Sequence, residues 1–246
     1  MALVTNSSMP AAGVARPSRT ARERARVELT EEIKSVGRRH LAEHGASALS
    51  LRAVAREVGM VSSAVYRYFP SRDDLLTALI IDAYDSVGAR TERAALESRS
   101  RAVAARLLHV CESVRAWARE NAHEYALIYG SPVPGYAAPE ATIGPASRVP
   151  LALLGLVVAG LERGEIETGE APSIPRSIRS DFSGLRRVAA PGVPDAVLSR
   201  ALALWAQVLG TINLEMFGHL HNVVHDYDAF FTLQIRQECE YVARGA

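Results

Sequence analysis

Apolar side chains recur at intervals of three and four residues along most of this chain, the spacing that places them on one face of an α-helix. The clearest stripe passes through Leu75, Leu79, Ile80 and Val87, behind Ser71, which can cap the start of that helix. The same periodicity predicts further helices over 18–44, 51–58, 62–69, 101–121, 125–129, 151–163, 181–190, 195–220 and 227–243. No segment alternates like a β-strand, so the predicted fold class is all-α.

Proline and glycine interrupt this pattern in two places. Residues 130–150 contain five prolines and three glycines and are predicted to form a loop, which is able to serve as a movable entrance to the interior. The stretch 151–163 is apolar nearly all round and predicts a buried helix. Residues 1–17 lack periodicity. The expected organisation is therefore a flexible tail at 1–17, a small helical head at 18–70 and a larger body at 71–246.

Composition and charge narrow the class of protein. Hydrophobic residues make up 48% of the chain, which is enough for a real core. The net charge is +1, yet residues 1–72 carry +6 and residues 73–246 carry −5, a distribution typical of a polyanion-binding head on an acidic body. The longest apolar run, 149–161, is too short to span a bilayer, and the two cysteines are far apart. We expect a cytoplasmic protein with no membrane association.

Residues 51–70 carry the most specific signal. Ala55 is small enough to lie where two short helices cross, Gly59 tolerates the turn between them, and Val65 can anchor the second helix. An ordinary helical hairpin would share this spacing. The second helix, however, also presents Ser62, Ser63, Tyr66, Arg67 and Tyr68, whose side chains can donate hydrogen bonds to phosphates or base edges. Together these features favour a helix-turn-helix that binds double-stranded DNA.

Gly45, the run 51–59 and the run 65–76 resemble the N-terminal domain of the tetracycline-repressor-like (TetR/AcrR) regulators. The stretches 125–136 and 204–218 resemble, more loosely, a subfamily with a Trp/Gly motif in a late helix. The resemblance implies a three-helix DNA-binding domain followed by a larger helical ligand-binding and dimerisation domain. It also implies that Ser50, Arg52, Tyr66, Tyr68 and Arg72 hold phosphates, and that Ser62, Ser63, Ala64 and Arg67 approach base edges. Tyr68 stands where the family often has histidine.

For the body, the resemblance implies a homodimer and a small apolar effector. The candidate ligand-binding residues are Trp117, Tyr125, Tyr129, Leu154, Trp205 and Asn213, with Thr211 as an alternative to Asn213. The competing interpretation is that each aromatic side chain belongs to the core. The dimer is expected to form through 195–220 and 227–243, because Leu202, Leu209, Phe231, Ile235 and Val242 would otherwise leave an exposed apolar patch.

Other chemistry has little support in the sequence. His219, His221 and His225, and separately His40 and His44, could be read as metal ligands, but solvated helix ends explain them better. No nucleophile elbow, P-loop or dinucleotide fingerprint is present, so we expect neither an enzyme nor a cofactor. Arginines at 16, 19, 22, 24 and 26 could form an electrostatic arm on DNA or a solvated tail.

The leading hypothesis is a repressor released from a palindromic operator by its effector. Two alternatives remain open at this point. One is a constitutive DNA-binding regulator without an effector, and the other is a helical carrier or enzyme with a vestigial head.

Overall fold

The computed structural model describes residues 20–169 and 173–245, so the predicted tail at 1–17 lies outside the described residues, as do Arg16 and Arg19. Within the described ranges the chain forms ten α-helices and no strand, which confirms the all-α prediction. The helices are α1 (Ala21–His44), α2 (Leu51–Glu57), α3 (Ser62–Val65), α4 (Arg72–Glu97), α5 (Val103–Glu120), α6 (Ala122–Tyr129), α7 (Ile143–Glu162), α8 (Arg176–Val188), α9 (Asp195–Met216) and α10 (Tyr227–Arg244). Short 3₁₀ turns occur at Ala46–Ala48 and Glu140–Thr142.

The first three helices pack with the start of α4 around a core of their own. Ile33 of α1, Val54 of α2, Val65 of α3 and Leu75 of α4 are all buried in it. Further along α4, Val87 belongs instead to the core of the body. The division of the chain at residue 70 stays a prediction, because α4 contributes side chains to both cores.

In the body, α5 is packed between other helices. α4 packs against both α5 and α7, and α10 packs against both α5 and α9. Leu107, Leu198, Ile212 and Phe231 are buried at these contacts. The helix predicted near 181–190 is present as α8, which begins earlier, at Arg176.

The prediction of a loop over 130–150 is wrong in its second half, because α7 already begins at Ile143. Pro145 falls in the first turn of α7, where a backbone N–H has no partner within the helix, so a proline there loses no hydrogen bond. Pro150 lies inside the helix. The expected burial of 151–163 holds for one side only: Leu153 and Val157 are buried, whereas Leu151 is exposed.

The prediction that the apolar stripe of the last helix faces a partner is also wrong. Phe231, Ile235 and Val242 are buried inside their own chain, where α10 packs against α5 and α9. Leu202 of α9, by contrast, is 44% exposed. The periodicity identified the residues that share a face correctly, but the core of the same chain covers that face.

Two segments, Glu140–Glu162 and Asp195–Met216, are long and apolar enough to cross a membrane by length and composition. Core helices of soluble proteins pass the same test, and both segments contribute buried residues to the body core.

Candidate nucleic-acid interface and ligand site

The turn between α2 and α3 has the geometry that the sequence predicts. Gly59 adopts a φ of 74°, in the left-handed region that favours glycine, and the N–H of Met60 donates to the carbonyl of Ala55 at 2.8 Å. Ala55 and Val65 are both buried. The structure therefore confirms a helix-turn-helix at the predicted position.

The second helix of the motif is shorter than predicted. α3 ends at Val65, and the chain continues in tight turns, with the N–H of Arg67 donating to the Ala64 carbonyl and that of Tyr68 to the Val65 carbonyl. Tyr66 and Arg67 are exposed on these turns. Both side chains are therefore free to reach a nucleic acid. They project from the turns that follow α3, and not from a helix that continues to residue 69.

The other predicted contacts on this surface differ in exposure. Ser63 and Arg52 are exposed, whereas Ser62 and Ser50 are half-buried. Ala64, expected at a base edge, is only 8% exposed, so most of its methyl group packs inside the head. The nine assignments remain predictions, and the geometry favours Ala64 least.

Two predicted phosphate contacts have partners within the head. The guanidinium of Arg26 lies 6.0 Å from the ring centroid of Tyr68. A basic residue of α1 therefore lies beside residues 62–68, which we call the recognition segment. Nη2 of Arg72 donates to the carbonyl of Ala46 at 2.7 Å, and Nη1 pairs with Asp73. Arg72 therefore ties the start of α4 to the Ala46–Ala48 turn, a structural role that the sequence did not indicate.

A charged cluster of Arg39, His40 and Glu57 holds α1 against α2. Both Arg39 and His40 pair with the carboxylate of Glu57, and Nε2 of His40 lies 2.9 Å from Oε2 of Glu57. The hydrogen bonds from Arg39 and then His40 hold the pKa of Glu57 below its usual value. His40 therefore has a carboxylate partner, and no group of three metal-binding side chains occurs in the part of the chain that the structure describes.

The body brings three of the predicted ligand-binding aromatics together. The ring centroids of Tyr125 and Tyr129 are 5.3 Å apart, and those of Tyr129 and Trp205 are 6.1 Å apart. The hydroxyl of Tyr125 donates to Oδ1 of Asn213 at 2.9 Å. Burial raises the pKa of both tyrosines. The partner that a polar amide in an apolar helix requires is thus a protein side chain.

Trp117 lies elsewhere, since its indole N–H donates to Oγ of Ser86 at 2.9 Å across the α4–α5 contact. Leu154 and Trp205 line a cavity of about 200 Å³ between α7, α8 and α9. Its remaining lining residues, which the sequence did not single out, are Ser147, Pro150, Leu151, Leu153, Leu185, Leu198, Ala201 and Leu202. The cavity walls are aliphatic and aromatic, with Ser147 as the polar exception.

The loop that follows α6 does not form the wall of this cavity. Val133 and Tyr136 pack against the head core, and the hydroxyls of Tyr136 and Thr77 are 2.9 Å apart. Within the predicted loop 130–150, Ser147 and Pro150 line the cavity, and both belong to α7. The entrance at 130–150 stays a prediction. Leu185 of α8 lines another side of the cavity.

Comparison with known proteins agrees with this arrangement. Residues 33–79 match the family described as "Bacterial regulatory proteins, tetR family", and residues 107–237 match the "Tetracyclin repressor-like, C-terminal domain". The chain is 42% identical over 198 residues to the HTH-type transcriptional regulator Rv1816 of Mycobacterium tuberculosis, and equally to Mb1846 of Mycobacterium bovis, covering 80% of this chain and 84% of each relative.

The fold also agrees with solved structures. The crystal structure of SCO4313 superposes with a TM-score of 0.73 at 33% identity, over 89% of this chain and 98% of the other. The TetR family transcriptional regulator PfmR of Thermus thermophilus superposes with a TM-score of 0.51 at 16% identity, over 86% of this chain and 96% of that one. The second of these similarities supports the fold alone.

Proposed function

Because the chain belongs to the TetR family of DNA-binding transcriptional regulators, we propose that it is a dimeric, ligand-responsive repressor that leaves a palindromic operator when a small apolar effector enters its body. The observation that carries the proposal is the cavity of about 200 Å³ beside Trp205 and Leu154, because its size and its apolar lining suit a small apolar ligand. The family consists of transcription regulators rather than enzymes, and we propose a cytoplasmic location.

The chemistry of the cavity limits the effector. An engineered protein cavity of about 150 Å³ lined by aliphatic side chains binds benzene, so one of comparable size suits a ligand of about one ring. Its walls offer neither a carboxylate nor a basic group, and Ser147 can supply one hydrogen bond. An uncharged, largely apolar molecule fits these walls better than an anion.

The dimer is supported by an exposed face of α9, which includes Leu202 from the expected set, and not by the buried stripe of α10. Leu202, Ala206, Gly210 and Leu214 follow one another at intervals of four residues along α9, and all four are exposed. We refer to these residues as the α9 face. The small side chains at its centre would let a second α9 approach closely, and the two outer leucines would be removed from water. A dimer would place two recognition segments in successive major grooves, about 34 Å apart.

The test begins with selection of bound fragments from random DNA, which supplies the operator. Operator binding is then followed by fluorescence anisotropy while uncharged one-ring compounds such as toluene are added. Entry into the cavity is measured separately in Trp117→Phe, where Trp205 is the sole remaining tryptophan. A change in the fluorescence emission of Trp205 together with release of the operator is expected. A change in emission without release would favour a DNA-binding protein that is constitutive, and absence of operator selection would contradict the regulator itself.

A further inference from the structure

A buried arginine at the beginning of α5 has hydrogen-bond donors that nothing in the described residues accepts. Arg106 lies within the first turns of α5 and is only 6% exposed. Its Nε and Nη1 atoms are shielded from solvent, and no acceptor lies within hydrogen-bond distance of them among residues 20–169 and 173–245. A charged donor left in this state is costly, so such a group normally has a partner in the functioning protein.

The surroundings of Arg106 are rich in positive charge. Arg163, Glu165 and Arg99 are the charged groups that act on it: burial and then the positive charge of Arg163 lower the pKa of Arg106, and Arg99 acts in the same direction. Glu165 is the one opposing carboxylate among them. Together with Arg106 these groups comprise three guanidinium groups and one carboxylate, whose formal charges sum to +2.

Glu165 is already occupied by other donors. Its Oε2 accepts the backbone N–H of Val103 at 2.7 Å, at the N-terminus of α5, and its Oε1 lies 2.7 Å from Nε of Arg163. The carboxylate therefore holds the helix end and Arg163. It leaves Nε and Nη1 of Arg106 unpaired.

This cluster is far from the head. Arg99 follows the C-terminal end of α4, whereas the head packs against the N-terminal end of that helix. A helix of 26 residues is about 39 Å long at 1.5 Å per residue. The DNA backbone bound by the head would not reach the cluster.

We propose that Arg106, Arg163 and Arg99 form a binding site for a doubly charged oxyanion of the phosphate monoester class, separate from both the DNA-binding surface and the apolar cavity. A phosphate monoester carries close to two negative charges at neutral pH and offers three acceptor oxygens, so it neutralises the local +2 and accepts from the unpartnered donors. Arg106 is the buried member of the site. Arg99 and Arg163 are exposed side chains at its rim and can move to admit the anion.

The test uses the full-length protein and inorganic phosphate as the probe. Binding is measured by isothermal titration calorimetry at constant ionic strength, with Arg106→Met as the variant, because methionine keeps the apolar stem and removes the buried donors. The variant should bind phosphate roughly tenfold more weakly or worse, since a charge-assisted hydrogen bond is worth at least that factor. Acetate, a single negative charge, should bind the wild type more weakly than phosphate.

A matched variant separates this site from general charge effects. Arg179→Met removes one exposed arginine of α8 and should leave phosphate binding unchanged. In a chloride buffer without phosphate, the free energy of unfolding of Arg106→Met should be at least that of the wild type, because unpaired buried donors have been removed. If it does not fold, Arg163→Met at the exposed rim should weaken phosphate binding instead. Absence of saturable phosphate binding, or equal binding by the wild type and both site variants, would overturn the proposal.

Discussion

Replacing Gly88 by alanine should lower the free energy of unfolding measurably, because the added methyl group meets a filled contact. A Cβ added there would lie 2.8 Å from both Cβ and Nε of Arg148 and 2.9 Å from its Cδ. Arg148 reaches across α4 at this point, where Nη1 donates to Asp85 at 2.8 Å and Nη2 to Glu92 at 2.7 Å. These hydrogen bonds raise the pKa of Arg148 and lower that of Glu92. Gly88 thus provides the space in which α7 is tied to α4.

The expected effect of Gly88→Ala is the difference between two opposed contributions. Replacing glycine by alanine inside a helix ordinarily stabilises the fold by about 1 kcal/mol. Forcing a methyl group into a filled contact costs about 1–3 kcal/mol. Displacing a pair as exposed as Arg148 with Glu92 adds less than about 1 kcal/mol. The net prediction is a destabilisation of about 1 kcal/mol, since the contact atoms include the Cβ of Arg148, which cannot swing away.

The assay is urea denaturation at fixed protein concentration, read from the midpoint at unchanged slope. Gly155→Ala is the matched control, because Gly155 is also inside a helix and nothing lies within 4 Å of an added Cβ there. It should be stabilised by up to about 1 kcal/mol. Combining Gly88→Ala with Arg148→Ala should recover part of the loss, but not all, because the Cβ of residue 148 remains. If Gly88→Ala were as stable as Gly155→Ala, the inferred close contact of α4 with α7 would be wrong.

Three further outcomes are expected. Tyr66→Phe should weaken operator and non-specific DNA binding together, because phosphate contacts carry no sequence information; anisotropy on two duplexes checks this, and a changed sequence preference alone would contradict it. Ala206→Glu should give a folded monomer by light scattering and circular dichroism, whereas Ile235→Glu should unfold the chain; a folded, monomeric Ile235→Glu would reverse this assignment. Asn213→Leu should lower stability by about 1–3 kcal/mol in urea, because the Tyr125 hydroxyl loses its acceptor, and adding Tyr125→Phe should restore part of that loss.

The helix-turn-helix could be predicted from the sequence because its determinants are local. A small residue at the crossing, a glycine able to adopt positive φ and a β-branched anchor all lie within 11 residues of one another, at Ala55, Gly59 and Val65. The turn depends on backbone conformation and on contact between two helices that are adjacent in sequence. Val65 also packs with Ile33 of α1 and Leu75 of α4, a long-range contact that its apolar character favours.

The parts that could not be predicted depend on which distant surface meets a given face. The sequence correctly predicted that Phe231 and Ile235 share one face of a helix. That this face packs against α5 and α9 of the same chain depends on where those helices lie. Arg72 likewise resembles a phosphate contact in sequence, yet the carbonyl of Ala46, 26 residues away, accepts its hydrogen bond. Periodicity and family resemblance carry no information about such long-range partners.

Two helices, α4 and α6, contribute side chains to both the head core and the body core. α4 supplies buried residues to both cores and, through Arg148, is held to α7, whose other side borders the apolar cavity. α6 supplies Leu127 to the head core, while Tyr125 on the same helix is bonded to Asn213 of α9. The hydroxyl of Tyr84 on α4 donates to the carbonyl of Ile128 on α6 at 3.1 Å, which couples the two helices to each other. Because tightly packed contacts have discrete arrangements rather than continuous ones, we expect a shift of α7 or α9 to be passed on to α4, α6 or both.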